Sequence, residues 1–461
     1  MLDLLVKGAT IVTDGVEFRA DLGVSNGRVS HLGSLSEDSA SEVIDASGKV
    51  LLPGFVELAV SPLEDAPYAP AAPGQDLAAL TAQAALGGVT SLIVARAWNA
   101  SRPFADELAE VRERDAARAA VDFGYHYFIS DWSADRRRHL RLALTAGVPS
   151  VWIPRAGVEA APAAALHYAV LRDLPANCLA VTTLSDPGLE AFLRSELKAN
   201  GQLAAAHHGA IFPEWLETEA LRRLDAVARG ARARLLVAGL TCPRSLAEFA
   251  ALRDANGVLC GAASLAHLCF NLDQMEEETT PRLPFAWPPL RPRSAQQALW
   301  NALDDGLLQV ATSLHRPVAA SAYAASLKDA STALDGSSAL PHFAPMLYGE
   351  GAAKLRMGTE SLSLCACADP AKLAGIYPRK GTLQIGADAD FLIFDPNADH
   401  VRPGIPAKLG PETHDAFAGL ECAGALEGVF LRGESIAGEM SSAATPHPPS
   451  GRFLDRQMAV K

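Results

Sequence analysis

The feature that most constrains the fold is the alternation of apolar strands and helices between residues 51 and about 370. VTSLIVA at 89–95 follows the helical pattern DLAALTAQAALGG, and RLLVAGL at 234–240 follows ETEALRRLDAVARG. Strands that alternate with helices are typically parallel, so a repeat of this length predicts an α/β fold with a closed (β/α)8 TIM-like barrel. A dinucleotide-binding sheet is the alternative, which is disfavoured because no G-x-G-x-x-G follows the first strand.

Both ends of the chain have a different pattern, with short strands separated by tight turns. Asn26-Gly27 is typical of a hairpin because both residues tolerate positive φ. Strand-like segments return near the other end, which indicates that the two ends meet in one layer. The prediction is a small β-sandwich domain built from residues 1–50 and 380–440, with the barrel formed by residues 51–379.

A Ser/Pro-rich stretch opens a C-terminal extension, residues 441–461. Phe453, Leu454 and Met458 follow this stretch, and apolar residues beyond such a linker gain little unless they dock on a surface. We expect them to dock on a neighbouring subunit. This expectation contributes to the prediction of an oligomer.

Composition narrows the classes of partner. Hydrophobic residues make up 49% and charged residues 20%, which is typical of a globular chain. The 40 Lys and Arg against 53 Asp and Glu give a net charge of −13, which disfavours nucleic acid. No segment approaches the roughly 20 apolar residues of a membrane span, and the chain opens directly into a strand. With seven scattered cysteines, which suit reduced thiols, a cytoplasmic location is predicted.

Four segments carry long motifs: ADPAKLAGIYPRKGTLQIGADADFLIFDP (368–396), WPPLRPRSAQQALWNALDDGLLQVATSLHRP (287–317), DFGYHYFISDW (122–132) and GRFLDR (451–456). Together they resemble the dihydropyrimidinase/hydantoinase branch of the amidohydrolase superfamily. The first is similar to the family pattern around Y-P-R-K-G, and the second is similar to the pattern that ends in A-T-D-H-x-P. Dihydroorotase and allantoinase are more distant relatives. The resemblance implies a (β/α)8 barrel with a β domain.

The resemblance also implies a catalytic site with two metal ions, held by a carbamylated lysine, four histidines and one aspartate. The positions that correspond to these ligands carry Ala59, Ser61, Trp152, Thr183, Gly239 and Leu314. A methyl group or an indole cannot bind zinc, and a neutral hydroxyl is a poor substitute for imidazole. We therefore expect no metal, no other cofactor and no catalytic residue at these positions. Trp152 and Leu314 are expected to fill the barrel mouth instead.

Four polar residues remain candidates for a residual pocket: Glu57, His208, His267 and His315. Glu57 stands where the family has an aspartate, and His315 follows the lost aspartate at the carboxyl end of a barrel strand, where functional residues gather. The simpler interpretation is that each histidine is a hydrogen-bonded core or rim residue, because no H-x-H or H-x-x-x-H spacing survives.

From the sequence alone, these losses favour a non-catalytic, hydantoinase-like subunit with a structural or regulatory role. Its predicted partners are further copies of itself, as a homodimer or homotetramer, or a catalytically active hydrolase or transferase subunit. Two alternatives stay open. One is a cyclic amidohydrolase with a non-standard site, and the other is a small-molecule binding protein that uses the old barrel pocket.

Overall fold

The computed structural model describes residues 1–60, 76–155, 163–253, 258–277, 282–401, 413–438 and 450–456. Five strands form the amino-terminal part of the first sheet: β1 (Leu2–Thr13), β2 (Val16–Ser25), β3 (Arg28–Gly33), β4 (Ala40–Asp45) and β5 (Val50–Pro53). Asn26 (φ 52°) and Gly27 (φ 72°) make the tight turn between β2 and β3, as the Asn-Gly pair predicts.

The second sheet is the barrel, whose eight parallel strands are hydrogen-bonded in chain order. They are β6 (Phe55–Val60), β7 (Val89–Arg96), β8 (Asp122–Phe128), β9 (Ser150–Trp152), β10 (Leu179–Thr182), β11 (Arg234–Ala238), β12 (Leu259–Ser264) and β13 (Val310–Thr312). Alternate side chains, such as Ile93, Val181 and Leu236, fill the interior. Their neighbours along the strands pack outward against the helices.

Three more strands, β14 (Phe391–Val401), β15 (Glu421–Leu431) and β16 (Glu434–Ala437), complete the first sheet in the order β16-β15-β14-β5-β1-β2-β3, with β4 on β1. β5 lies between β1 and β14, so the predicted boundary at residue 51 falls inside a strand of this sheet. The chain is therefore an α/β protein with a TIM-like barrel and a small β domain built from both termini, as predicted.

The helices surround the barrel and follow its strands. They are α1 (Leu77–Leu86), α2 (Phe104–Ala116), α3 (Ala134–Thr145), α4 (Ala163–Leu171), α5 (Pro187–Ala199), α6 (Glu214–Ala231), α7 (Pro243–Leu252), α8 (Leu265–Cys269), α9 (Leu272–Glu277), α10 (Arg293–Asp304), α11 (Ala320–Ser326), α12 (Phe343–Leu347), α13 (Thr359–Ser363) and α14 (Asp369–Ala374). The side chain of Asp186 caps α5 by accepting from Leu189 N at 2.9 Å, and Pro187 supplies a preset φ. Among the described residues no helix combines the length and apolarity that a membrane crossing needs.

A buried charge cluster joins the β domain to the start of β8. Lys380 Nζ lies 2.6 Å from Asp122 Oδ2, 2.7 Å from Asp390 Oδ2 and 3.0 Å from Asp388 Oδ2. Arg432 Nη1, from the β15–β16 turn, adds a bond to Asp122 at 2.7 Å. Because each ion has a counter-ion within hydrogen-bond distance, the junction can tolerate this burial.

The segment 450–456 binds the amino-terminal end of its own barrel, beside β8. Phe123 N donates to Arg452 O at 3.0 Å, and Leu454 N donates to Phe123 O at 2.6 Å. Leu454 is 2% exposed and belongs to the apolar cluster inside the barrel, while Arg456 donates to Ser150 Oγ at 2.9 Å. The expectation that Phe453 and Leu454 dock on a neighbouring subunit is therefore wrong for this segment. Met458 lies outside the described residues, and the oligomer stays a prediction.

Since Leu454 is buried in its own chain, Leu454→Ala should lower the free energy of unfolding by about 2–5 kcal/mol, the cost of a cavity at a large core residue. The loss should be the same at widely separated protein concentrations, as measured by urea unfolding. Leu142→Ala is the matched control, because Leu142 is 52% exposed on α3. A loss that grows on dilution would show that the segment docks between subunits.

Candidate active site

The carboxyl ends of the barrel strands surround an apolar floor. Trp152, at the end of β9, is 7% exposed and packs in the barrel interior, with Leu314 against the same cluster. Gly239 follows β11 with φ 92°, and a Cβ there would lie 3.1 Å from Leu314 Cδ1 and 3.1 Å from Pro288 Cδ. Leu314 therefore lies close to Gly239, and a larger side chain at position 239 would press against it.

The other two described ligand positions are equally unsuited to a metal. Ala59 is buried on β6 and presents only a methyl group. Thr183, after β10, is half-buried and has only a neutral hydroxyl. Ser61 lies outside the described residues. No group of three or more His, Cys, Asp or Glu residues that could hold a metal ion lies together in the described part of the chain.

Glu57 ties the last barrel strand to the first. Its Oε1 accepts from Thr312 Oγ1 at 2.7 Å and from Ala59 N at 2.7 Å, and its Oε2 accepts from Ser313 N at 2.5 Å. The carboxylate is fully buried, and these three bonds use both of its oxygens. Glu57 was predicted as a pocket residue, and the structure gives it the role of closing the barrel between β13 and β6.

His267 is held in the core. Its Nε2 donates to Pro288 O at 2.8 Å and its Nδ1 accepts from Ser264 Oγ at 2.6 Å. Burial lowers the pKa of His267 to about 4, so the ring is neutral at pH 7. Both ring nitrogens are occupied, which supports the simpler interpretation of this histidine as a core residue.

His315 keeps one nitrogen free of hydrogen bonds within the described chain. Its Nδ1 accepts from Leu340 N at 3.2 Å, while Nε2 is buried without a partner there. Burial, with a smaller effect of His342, lowers the pKa of His315 to about 3. A neutral ring whose Nδ1 accepts must carry its proton on Nε2, so His315 offers a donor rather than a base.

Five residues that follow barrel strands or enter from neighbouring segments form a charged group, which we term the mouth cluster: Arg155, Glu190, His208, Arg316 and Asp335. Arg155 Nη1 lies 3.1 Å from Glu190 Oε2, and Arg155 Nη2 also bonds Asp335 Oδ2. His208 Nε2 lies 3.4 Å from Asp335 Oδ1. The Arg155 guanidinium stacks over the Trp287 ring at 4.0 Å.

The electrostatics of the mouth cluster set the charge of each carboxyl. Burial alone would raise the pKa of Asp335, but the Arg155 guanidinium and His208 hold it far below its usual range. Burial raises the pKa of Glu190 and outweighs the opposing effect of Arg155. Asp335 is therefore an anion at neutral pH, and it is the counter-charge around which the cations gather.

Of the candidates named from sequence, only His208 lies in the mouth cluster. Arg155, Glu190, Arg316 and Asp335 were missed. Arg155 and Arg316 each follow a barrel strand closely, and this position could have marked them. Asp335 has no such signal, because it lies in an irregular segment whose contacts with Arg155, after β9, and with Arg194, on α5, exist only in the folded chain.

A binuclear metal centre does not fit this site, because the described positions that would hold it offer a methyl group, an indole, a hydroxyl, a glycine and an aliphatic side chain.

Comparison with known proteins identifies the family to which this chain belongs. Residues 198–436 match the family described as the amidohydrolase family, and the chain belongs to that family. It is 26% identical over 99% of both chains to D-hydantoinase from Ralstonia pickettii, and 27% identical over 95% of both to L-hydantoinase from Paenarthrobacter aurescens. A crystal structure of D-hydantoinase superposes with a TM-score of 0.85 at 26% identity, over 99% of both chains. Within the family, the chain belongs to the hydantoinase/dihydropyrimidinase branch.

These comparisons overturn the prediction of a non-catalytic subunit. The relatives that match the chain from end to end are named as hydantoinases, and none of the relatives cited here is named as a structural or regulatory subunit. The absence of the metal-ligand residues had suggested loss of catalysis. That conclusion holds only if no other set of catalytic side chains can hydrolyse a cyclic amide. The alternative of a cyclic amidohydrolase with a non-standard site fits the comparisons better.

Proposed function

We propose that this chain hydrolyses the C–N bond of a cyclic amide at the mouth of its barrel. The observation that carries the proposal is the likeness to D-hydantoinase over 99% of both chains, in sequence and in structure. The mouth supports it with an apolar floor and a few converging polar groups, which is the usual character of a small-molecule site.

The reaction requires water to attack the amide carbonyl carbon. A C–O bond forms while a base takes the proton from the water, and the C–N bond then breaks. The nitrogen receives a proton, and the ring opens to give a carboxylate and an amine or urea nitrogen. The chain must therefore supply a base that can later return the proton.

His208 paired with Asp335 is the candidate base. His208 Nε2 lies 3.4 Å from Asp335 Oδ1 and makes no hydrogen bond to it in the described structure. A proton on Nε2 would face the carboxylate and leave the lone pair on Nδ1. A carboxylate that orients an imidazole also stabilises the imidazolium formed when the ring takes a proton. Phe285 packs at the edge of the His208 ring, with centroids 5.1 Å apart, and restricts its rotation.

The proposal is tested by incubating the purified protein with hydantoin, dihydrouracil, dihydroorotate and allantoin, and following ring-opened products by mass spectrometry. His208→Gln should lower turnover by about 100-fold or more, the usual contribution of a positioned base. His31→Gln, at an exposed site on β3, is the control and should leave turnover unchanged. No product from any of the four compounds, or full turnover by His208→Gln, would contradict the proposal.

The protein is expected to act without a bound metal ion. Because the described ligand positions cannot hold one, turnover should survive a strong chelator, and elemental analysis should find no stoichiometric zinc after purification in zinc-containing buffer. Chelator treatment and zinc re-addition are compared on the same preparation. Activity that vanishes with the chelator and returns with zinc would show that other groups bind a metal.

A further inference from the structure

We infer that Arg316 forms an anion subsite that binds a carboxylate substituent of the substrate, so that the substrate class is the carboxylate-bearing cyclic amides. That the ligand is a substrate rests on the proposed function, but its binding at Arg316 can be measured without turnover. It follows from the position, the pairing and the charge of Arg316.

The Arg316 side chain is half-buried, and no partner among the described residues neutralises its charge. Its Nε is sealed from solvent and makes no hydrogen bond within the described residues, and no carboxylate there lies within ion-pair distance of it. Burial lowers the pKa of Arg316, with Asp335 acting in the opposite direction from farther away. An arginine stays charged at neutral pH, so the site holds a guanidinium whose buried Nε has no acceptor among the described residues.

The hydroxyl of Ser337 is a second hydrogen-bond donor next to Arg316. Arg316 N donates to Ser337 O at 2.9 Å, and the two residues form an antiparallel bridge. Directly opposed residues on antiparallel segments project their side chains to the same face. Ser337 Oγ is also buried without a hydrogen-bond partner in the described chain. A guanidinium and a hydroxyl on one face can together bind one carboxylate.

The charge around Asp335 favours an anion. Arg155, Arg194 and Arg316 bring three positive charges, and Glu190 and Asp335 bring two negative ones. Arg155 bonds both carboxylates, and Arg194 donates to Ser331 O at 3.0 Å. The charge that is left over is that of Arg316, and one monovalent anion would balance it.

The position of Arg316 beside the apolar floor favours a ring that carries the carboxylate as a substituent. Arg316 stands two residues after Leu314, whose side chain forms the apolar floor with Trp152. An amide ring that lies on this floor is neutral, and by itself would leave the guanidinium unpaired at a cost in affinity. A ring that carries a carboxylate can pack on the apolar floor while its carboxylate pairs with Arg316. An arginine and a carboxylate can form two parallel hydrogen bonds.

The test uses dihydroorotate and dihydrouracil, which differ by one carboxylate. Calorimetry should show that the wild-type protein binds dihydroorotate about 10- to 100-fold more tightly, the usual value of a hydrogen bond to a charged group. Arg316→Gln should remove this preference by lowering the affinity for dihydroorotate, and Arg316→Lys should restore part of it. Arg141→Gln, at an exposed position on α3, is the control that keeps the preference.

The outcomes separate the subsite from the reaction. A carboxylate preference that depends on Arg316, without turnover of either compound, would support the subsite and contradict the proposed function. Equal binding and turnover of both compounds would overturn the subsite alone. Absence of binding of either compound would overturn the subsite and, for these two compounds, the proposed function as well. Acetate and inorganic phosphate are titrated in parallel. If either one binds as tightly as dihydroorotate and with the same dependence on Arg316, the site is a general anion site and the claim about the ring substituent is overturned.

Discussion

Replacement of Lys380 by methionine is expected to lower the free energy of unfolding by about 3–5 kcal/mol, the range found when one partner of a buried ion pair is removed. Lys380 is 1% exposed and lies within 3.0 Å of three carboxylates, those of Asp122, Asp388 and Asp390. Methionine keeps most of the volume and none of the charge. Arg432 still pairs with Asp122, but Asp390 would lose its only ion-pair partner among the described residues.

The loss should depend on pH. Burial opposes the charge on Lys380, but the three carboxylates raise its pKa above the ordinary value. The stability that the lysine contributes is thus fully present below its unfolded pKa, and wild-type stability should show no loss from this group between pH 5 and 8. In the variant the carboxylates lose their cation, their pKa values rise, and ionising them becomes costly. The difference between wild type and variant should therefore widen from pH 5 to pH 8.

Urea unfolding at both pH values measures this difference. Lys372→Met is the matched control, because Lys372 is exposed and its bond to Asp369 lies at the surface. Such pairs contribute at most about 1 kcal/mol. A Lys380→Met protein as stable as the wild type at pH 8 would show that the junction does not depend on this charge.

Asp335→Asn is expected to have the second large effect, because it removes the anion that organises the mouth cluster. The amide keeps the shape, but Arg155 loses one of its two carboxylates and His208 loses its counter-ion. Loss of a buried charge partner costs about 3–5 kcal/mol. Turnover of a cyclic amide should fall by about 100-fold or more, because His208 is no longer oriented or stabilised when protonated.

The pH range of the effect differs from that for Lys380→Met. The folded-state pKa of Asp335 is held below its ordinary value, so the stability it contributes is complete above about pH 4 and is lost only as the pH falls through the folded value. The charge on Asp335 itself should add no pH dependence to the deficit of Asp335→Asn between pH 5 and 8, and the deficit should shrink in stronger acid. Asp305→Asn, at the exposed end of α10, is the control. A deficit that does not shrink in stronger acid would contradict the assignment of the charge to Asp335.

The large features of the fold could be predicted because they leave repeating patterns. The strand–helix alternation predicts the barrel, and Asn26-Gly27 predicts the hairpin, since both depend on neighbours in sequence. The site is different. Leu314 can be recognised as an aspartate lost from a family pattern, but nothing near Asp335 shows that it contacts Arg155, which lies 180 positions away. The role of Glu57 also depends on a partner 255 residues away, Thr312.

The docking of Leu454 could be predicted from the sequence only in part. An apolar residue after a Pro/Ser-rich linker indicates that a surface covers it, but not which surface. Its partner, Phe123, lies more than 300 residues earlier, and a contact within the chain leaves the same sequence pattern as a contact between chains. The sequence pattern therefore predicts docking, but only the folded structure identifies the partner of Leu454.

The pairing of β5 with β14 sets an order of events during synthesis. The ribosome makes Val50–Pro53 early, but its neighbour Phe391–Val401 emerges only after the whole barrel has been translated. At about 5–20 residues per second, the interval is on the order of half a minute. For that time the amino-terminal hairpins carry an unsatisfied edge of backbone donors and acceptors, which is a template for unwanted pairing. Nascent chains of this protein are thus most exposed to association just before the final strands arrive, and a chaperone that shields the first fifty residues would have its greatest effect then.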